Sequence, residues 1–539
     1  MKRFPVVAIG LALIVALALV ALHYVRGHRQ QAAIEVAAVQ RIDQDVQTAD
    51  VLEQLRTAAI GGRFAIVDTN LIDPVAGNVV SGQTVIVNGQ SIEWVGPADH
   101  APSLDGATVI KGTGRFLSPG LTDMHVHTEH MAQHVLRLAA GVTSARDMDG
   151  FPWLLRTRDA IESGRMIGAT LYVAGSIIAD QPLSGYAVVV KTPDEARQIV
   201  RDQAACGYSF IKVHNSLAEP LFDAVADEAG RVHLDLVGHV PHDISLLHAI
   251  KSGQMRTLEH LKGFLIDQTQ LPSDEAYAPA LQGSDVWLTP TLYARIGNAY
   301  GQDARTLSAD PRQRYNPRDR REAWSAEVPA EGSEDARMHD RMVKTDAIVM
   351  DRLLPLHPRW LVGTDSAGYP FTIAGFAALD EMVLLHQAGL SNAQVVRAAT
   401  SEPAVAMRRP AEYGRIAPGM RADLVLLATN PLADVSAYQS SLGVMARGRW
   451  YDRAALDTAL NEVARIYAEP VLHAIDAAAA KALADAAQDL VKNGYVFEDG
   501  QLNAAADGFE ESGATAAAIT LRKLVAAPAS GACMARNPQ

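Results

Sequence analysis

The side chains of this 539-residue chain best suited to chemistry begin with a pair. His125 and His127 stand one residue apart in Leu121-Thr122-Asp123-Met124-His125-Val126-His127, directly after Ser118-Pro119-Gly120. On a strand, positions i and i+2 point to the same side, so both imidazoles would enter one small volume. The pair alone leaves two readings open: half of a metal site, or two half-buried polar residues. More potential donors close later apolar runs. Lys212 ends Ser209-Phe210-Ile211-Lys212, His239 ends Asp235-Leu236-Val237-Gly238-His239, His260 ends Arg256-Thr257-Leu258-Glu259-His260, and Asp365 ends Trp360-Leu361-Val362-Gly363-Thr364-Asp365. Each by itself reads as an ordinary structural side chain. Six at the ends of successive runs read as a convergent set. A lysine among four histidines makes sense only as a counter-charge or after chemical change. With just two cysteines, Cys206 and Cys533, there is no disulfide framework and no thiolate cluster, so a metal would need nitrogen and oxygen ligands.

Such convergence needs a scaffold that brings strand ends together. Apolar runs at Leu121–His125, Gly141–Arg146, Thr170–Ala174, Phe210–Val213, Val237–His239, Thr257–His260, Val286–Leu288 and Trp360–Gly363 alternate with helical segments such as Thr192–Cys206, Pro220–Ala229 and Ser245–Ser252. That alternation predicts an α/β fold, a (β/α)8 TIM-type barrel, whose reactive groups gather at the C-terminal strand ends. Short β-branched runs before it (Phe64–Val67, Thr84–Val87, Ile92–Val95, Thr108–Ile110) and after it (Gly414–Leu427, Gly443–Trp450) predict a small β-sandwich made from both flanks. The expected divisions are an N-terminal anchor or signal segment at 1–29, a helical stalk at 30–62, sandwich at 63–118 and 412–453, barrel at 119–411, and a helical extension at 454–539.

Composition narrows the function. A net charge of −13 with 20% charged residues argues against a phosphate backbone as partner. Phe4–Leu22 is uncharged and flanked by Lys2, Arg3, Arg26 and Arg29. Its length just suffices to span a bilayer. The expectation is a single inner-membrane helix with the catalytic part in the periplasm, or a cleaved export signal. An oligomer is compatible with this reading.

Taken together, Pro119-Gly120-Leu121-Thr122-Asp123-Met124-His125-Val126-His127, Phe210-Ile211-Lys212-Val213, Leu258-Glu259-His260, Gly363-Thr364-Asp365-Ser366 and the closing Gly414-Arg415-Ile416-Ala417-Pro418-Gly419-Met420-Arg421-Ala422-Asp423-Leu424-Val425-Leu426-Leu427 closely resemble the amidohydrolase superfamily. The likeness is to its binuclear, lysine-bearing subtype, in the imidazolonepropionase-like and Xaa-Pro dipeptidase-like branch. It runs from about Arg63 to Asp452. The resemblance implies that His125, His127 and Asp365 bind a more buried divalent ion and His239 and His260 a more exposed one. Lys212, carboxylated to a carbamate, would bridge them. Zinc is the default ion for such donors. It further implies hydrolysis of an amide in a small peptide, N-acyl amino acid or cyclic amide by a metal-bridging hydroxide, with Asp365 as general base and then general acid.

Two rivals belong to other classes. One is a mononuclear-type deaminase of a heterocycle, but His239-Val240-Pro241-His242 carries no carboxylate before Asp243. The other is a non-catalytic, membrane-tethered binding module that has kept the fold; the complete donor set argues against it. Tyr293 could meet a substrate oxygen or simply be a buried tyrosine. His242 could line a pocket or cap a surface helix, and His214 could touch the site from beside Lys212. His130 and His134 are read as pocket rim or helix face, and the arginine-rich Arg295–Arg321 as a solvated segment, with a substrate-anion contact as the lesser reading.

Overall fold

The computed structural model describes residues 37–183, 187–261, 263–264, 274–294, 306–330, 332–469 and 476–525. The expected anchor at 1–29 lies outside them. Among the described residues no helix is long and apolar enough to cross a membrane. Two compact units form: residues 48–469, and residues 37–47 together with 476–525.

The smaller unit is helical. Ala477–Lys492, Asp499–Glu511 and Thr515–Leu524 bury Leu483, Ala487, Leu502, Phe509 and Leu521. Residues 37–58 are helical, 37–47 of them in this unit and 48–58 in the larger one. Val39, Ile42, Leu52 and Leu55 are buried, because their spacing places the apolar residues on one stripe of the helix.

In the larger unit, Arg63–Asp73, Asn78–Asn88, Ser91–Pro97, Thr108–Lys111 and Phe116–Pro119 join Leu424–Leu427, Ser441–Ala446 and Arg449–Asp452 in one eight-stranded sheet. The two flanks meet where Val425 pairs antiparallel with Ser118. That direct pairing makes the expected sandwich a single continuous hydrogen-bonded sheet, with Phe64, Ile66, Val85, Leu117, Leu424, Met445 and Trp450 packed in its core. The hairpin at Asn88-Gly89 turns on Gly89, whose φ of 57° suits a tight two-residue loop.

Between these flanks run eight strands that position the candidate site: β1 (Leu121–Val126), β2 (Val142–Asp147), β3 (Thr170–Val173), β4 (Ile211–Val213), β5 (Leu236–Gly238), β6 (Met255–Glu259), β7 (Trp287–Thr289) and β8 (Arg359–Trp360). β1 to β3 pair in parallel, as do β4 to β8. Parallel bridges Ala174↔Phe210 and Val126↔Ser366 link the two runs at both margins. Alternation then sorts the side chains. Met124, Tyr172, Phe210, Val237, Trp287 and Leu361 form one buried cluster, while Ile211, Leu236, Leu258, Leu288 and Val362 pack in another with residues of the surrounding helices. Lys212 shares the parity of Phe210 and so leaves the helix-facing side. Local signals hold the helices: Thr192 and Glu195 make a reciprocal capping box before Pro193–Ala205, and Ser245 caps Leu246–Lys251.

Candidate metal centre

The strand ends converge. Asp365 Oδ1 lies 3.3 Å from His125 Nε2 and 2.6 Å from His127 Nε2, and its Oδ2 lies 3.5 Å from His260 Nε2. Ring centroids of His125 and His260 are 4.7 Å apart, those of His260 and His239 4.9 Å, and those of His125 and His127 5.4 Å. Donor atoms of His125, His260 and Asp365 all fall within 4.8 Å of one another. Lys212 is buried, and its Nζ donates to the Met148 carbonyl at 2.9 Å. Burial drives its ammonium below the ordinary lysine range, and the carboxylates of Asp149, Asp365, Glu259 and Asp147 offset only part of that effect.

Whether these side chains suit a cation is answered by their other nitrogens. His125 Nδ1 meets Glu259 Oε2 at 2.9 Å, His239 Nδ1 meets Asn215 Oδ1 at 2.7 Å, and His260 Nδ1 meets Thr291 Oγ1 at 2.7 Å. His127 Nδ1 is hydrogen-bonded to Asp149. An ionised carboxylate only accepts, so Nδ1 of His125 carries the proton and its Nε2 offers a lone pair. That Nε2 is buried without a hydrogen-bond partner. Imidazoles fixed at one nitrogen by an acceptor, with the other presented to a common point, are the arrangement of metal-ligating histidines. The donor set fits a divalent ion such as zinc. Burial opposes charge on the Asp365 carboxyl, but the surrounding imidazoles of His125, His260 and His127 outweigh it and hold the group well below the usual carboxylate range.

A polar layer braces this cluster. Arg146, fully buried on β2, donates from Nη2 to Glu259 Oε1 at 2.6 Å and from Nε to the Met124 carbonyl at 2.6 Å. Burial works to raise the Glu259 carboxyl, yet Arg146 and His125 bring it down to about 2. Asp123 accepts from the Thr364 hydroxyl at 2.7 Å and its backbone N–H at 3.1 Å, tying β1 to the segment that carries Asp365. Backbone strain collects at the same strand ends. His260, Leu261, Thr291, Asp365, Ala367 and Phe371 all have φ between 52° and 70°. Such conformations cost about 1–3 kcal/mol each and persist where the surroundings over-determine them.

The remaining candidates disperse. His214 is half-buried, its ring 4.0 Å from that of His239, so it borders the cluster. His242 is exposed, and the helix it was expected to cap is capped by Ser245. Tyr293 is buried and lines a cavity of about 820 Å³ with Asp310, Arg312 and Asp380, a cavity that none of the six donors lines. His134 lies on a helix, Ala132–Ala139, whose residues are all buried, and is itself 1% accessible. His130 is buried too, with its ring 6.1 Å from Tyr467. In the arginine-rich segment, 295–305 lies outside the described residues. Arg312 pairs with Asp310 and Asp380, Arg318 with Glu322, and Arg320 with Glu129, which favours the structural reading. The sequence reading missed Glu259, Asp149, Asn215 and Thr291 as partners of the histidines. Glu259 had a usable signal, an acid placed directly before His260 at the end of an expected strand.

Residues 319–451 match the amidohydrolase family. Among similar proteins, an imidazolonepropionase of Streptomyces griseus subsp. griseus is 25% identical over 385 residues, 66% of this chain and 89% of that protein. An ochratoxinase of Aspergillus niger is 20% identical over 448 residues, 71% of this chain and 85% of that one. Among solved structures, a bottromycin amidohydrolase superposes with a TM-score of 0.64 at 24% identity, covering 78% of this chain and 94% of that one. A Xaa-Pro dipeptidase with bound methionine gives 0.58 at 22% identity, covering 72% and 100%.

Proposed function

We propose, for a chain that carries an amidohydrolase family domain, that it is a metal-dependent hydrolase of carbon–nitrogen bonds. The substrate class is a small peptide, an N-acyl amino acid or a cyclic amide. The pairings that link β1–β3 and β4–β8 at both margins support reading the eight strands as one closed (β/α)8 barrel with the site at its C-terminal mouth. One observation carries the functional reading. The Asp365 carboxylate sits among the Nε2 atoms of His125, His127 and His260, while the Nδ1 atoms of those rings are held from behind.

His125, His127, His239, His260, Asp365 and Lys212 would hold two divalent ions, Lys212 as a carbamate formed when its amine nitrogen bonds to CO2 and releases a proton. Bound divalent ions acidify water and polarise a carbonyl. The chain's own part is proton handling. Asp365, kept ionised, takes a proton from the attacking water and hands it to the departing nitrogen. Its fixed place between three imidazoles limits the motion needed for either transfer. A deaminase reading has less support, since Val240-Pro241-His242 supplies no carboxylate after His239 and Asp243 is exposed.

The test is a screen of the purified chain against dipeptides, N-acyl amino acids and cyclic amides before and after chelation. Release of an amine that stops on chelation and returns with a divalent ion is expected. Ammonia release from aminated heterocycles with no amide cleavage would replace this reading by deamination. The tethering of the chain through Phe4–Leu22, with the catalytic part in the periplasm, is likewise proposed, on sequence grounds alone. Fractionation of a tagged chain tests it, and recovery in the cytosol would end it.

A further inference from the structure

Glu381 belongs to none of the expected roles, yet it is 0% exposed on the helix Phe376–Gln387 that follows Asp365 in the chain. Among the described residues it makes no ion pair, and burial first, then the Asp123 carboxylate, oppose its ionisation. A buried carboxyl without a cation is costly unless other groups hold it. What holds it is backbone. Oε1 accepts the Leu292 N–H at 3.0 Å and Oε2 accepts the Tyr293 N–H at 2.7 Å. These amides open the helical segment that begins at 292 after β7, and helix starts leave such donors without intrahelical partners. The residue just before them is Thr291, at φ 52°. A β-branched residue rarely adopts that conformation. Its Oγ1 lies 2.7 Å from His260 Nδ1.

We propose that Glu381 is a positioning residue: by clamping the Leu292 and Tyr293 amides it holds Thr291 in its left-handed conformation, and so fixes the His260 ring with Nδ1 on the Thr291 hydroxyl and Nε2 toward Asp365. The line of contact is continuous, from the helix behind β8 through the turn after β7 to the end of β6. It rests on the metal-hydrolase reading only for what His260 Nε2 is used for; the ring's orientation belongs to the metal-free chain.

The test uses the full chain with ¹⁵N-labelled histidine, stripped of metal, with the His260 imidazole signals assigned through His260→Asn. Wild type is expected to show His260 as a single tautomer protonated at Nδ1. Glu381→Gln, which leaves one oxygen to serve two amides, and Thr291→Val should both lose that signature, and Thr291→Ser should keep it. Glu381→Asp, too short to reach both amides, gives the same expectation should the glutamine variant not fold. Zinc affinity, read by chelator competition, should fall about 10–100-fold in Glu381→Gln and Thr291→Val. The double variant should be no weaker than the weaker single, because both act along one line. An unchanged His260 signal in Glu381→Gln, or losses that multiply in the double variant, would overturn the proposal. A wild type that holds no zinc, while Glu381→Gln still disturbs His260, would remove the metal reading and leave the positioning role standing.

Discussion

Glu259 lies beside His260 in the chain but gives its side chain to His125, 134 positions away, with Oε2 2.9 Å from Nδ1. Its other oxygen takes the guanidinium of Arg146 at 2.6 Å, and both side chains of that ion pair are fully buried. One carboxylate therefore orients a candidate metal ligand and neutralises a buried arginine.

Replacing Glu259 by Gln should separate those two tasks. Leaving Arg146 without its partner costs about 3–5 kcal/mol of stability, since a buried charge is left uncompensated. Divalent-ion affinity should fall about 10–100-fold with the loss of the acceptor behind His125. Adding Arg146→Met should restore part of the stability and none of the affinity. Chemical denaturation and chelator competition on the three proteins check this; full recovery of affinity in the double variant would show that Glu259 acts only through packing.

Lys212 offers a chemical test. Lys212→Ala should lose nearly all turnover, and short carboxylic acids added to the variant should restore part of it by standing in for the carbamate. Unchanged turnover in the alanine variant would take Lys212 out of the mechanism.

Gly238 precedes His239 with φ 121°, and a Cβ placed there would come 2.1 Å from the Val213 carbonyl oxygen. Gly238→Ala must therefore spread β4 from β5 or rotate the backbone. A loss of roughly 2 kcal/mol or more is expected from strain and overpacking combined. Because His239 is the next residue, its ring should move as well. A crystal structure of the variant with β4, β5 and His239 unmoved would refute this.

His134 predicts a pH effect of its own. Burial, joined by the Arg137 guanidinium, pushes its imidazole down to about 3 from 6.5. Between those values the unfolded chain binds a proton that the folded chain does not. Stability is therefore full above about pH 6.5 and falls as pH drops toward about 3, by up to about 1.4 kcal/mol per pH unit. Denaturation midpoints at pH 7 and pH 5 should differ less in His134→Gln than in wild type. Equal differences would mean that His134 is protonated in the folded state.

How far the sequence carried the site can be told from these residues. The six candidates stood out in the sequence because they fall at or near the ends of expected strands, and parallel strands deliver such positions to one end. The groups behind the imidazoles did not, since Asp149, Asn215, Thr291 and Glu259 lie 22, 24, 31 and 134 positions from the rings they hold. No local pattern encodes a partner across a sheet. Tyr293 was left between a substrate contact and a buried tyrosine; it is buried and lines the cavity with Arg312 and Asp380.

The most direct test counts metal. Gently purified full-length chain, analysed for elements alongside protein concentration, should carry close to two divalent ions, and the chelated protein should regain amide hydrolysis in step with ions restored. Fewer than one ion per chain, or hydrolysis that survives complete chelation, would contradict the account.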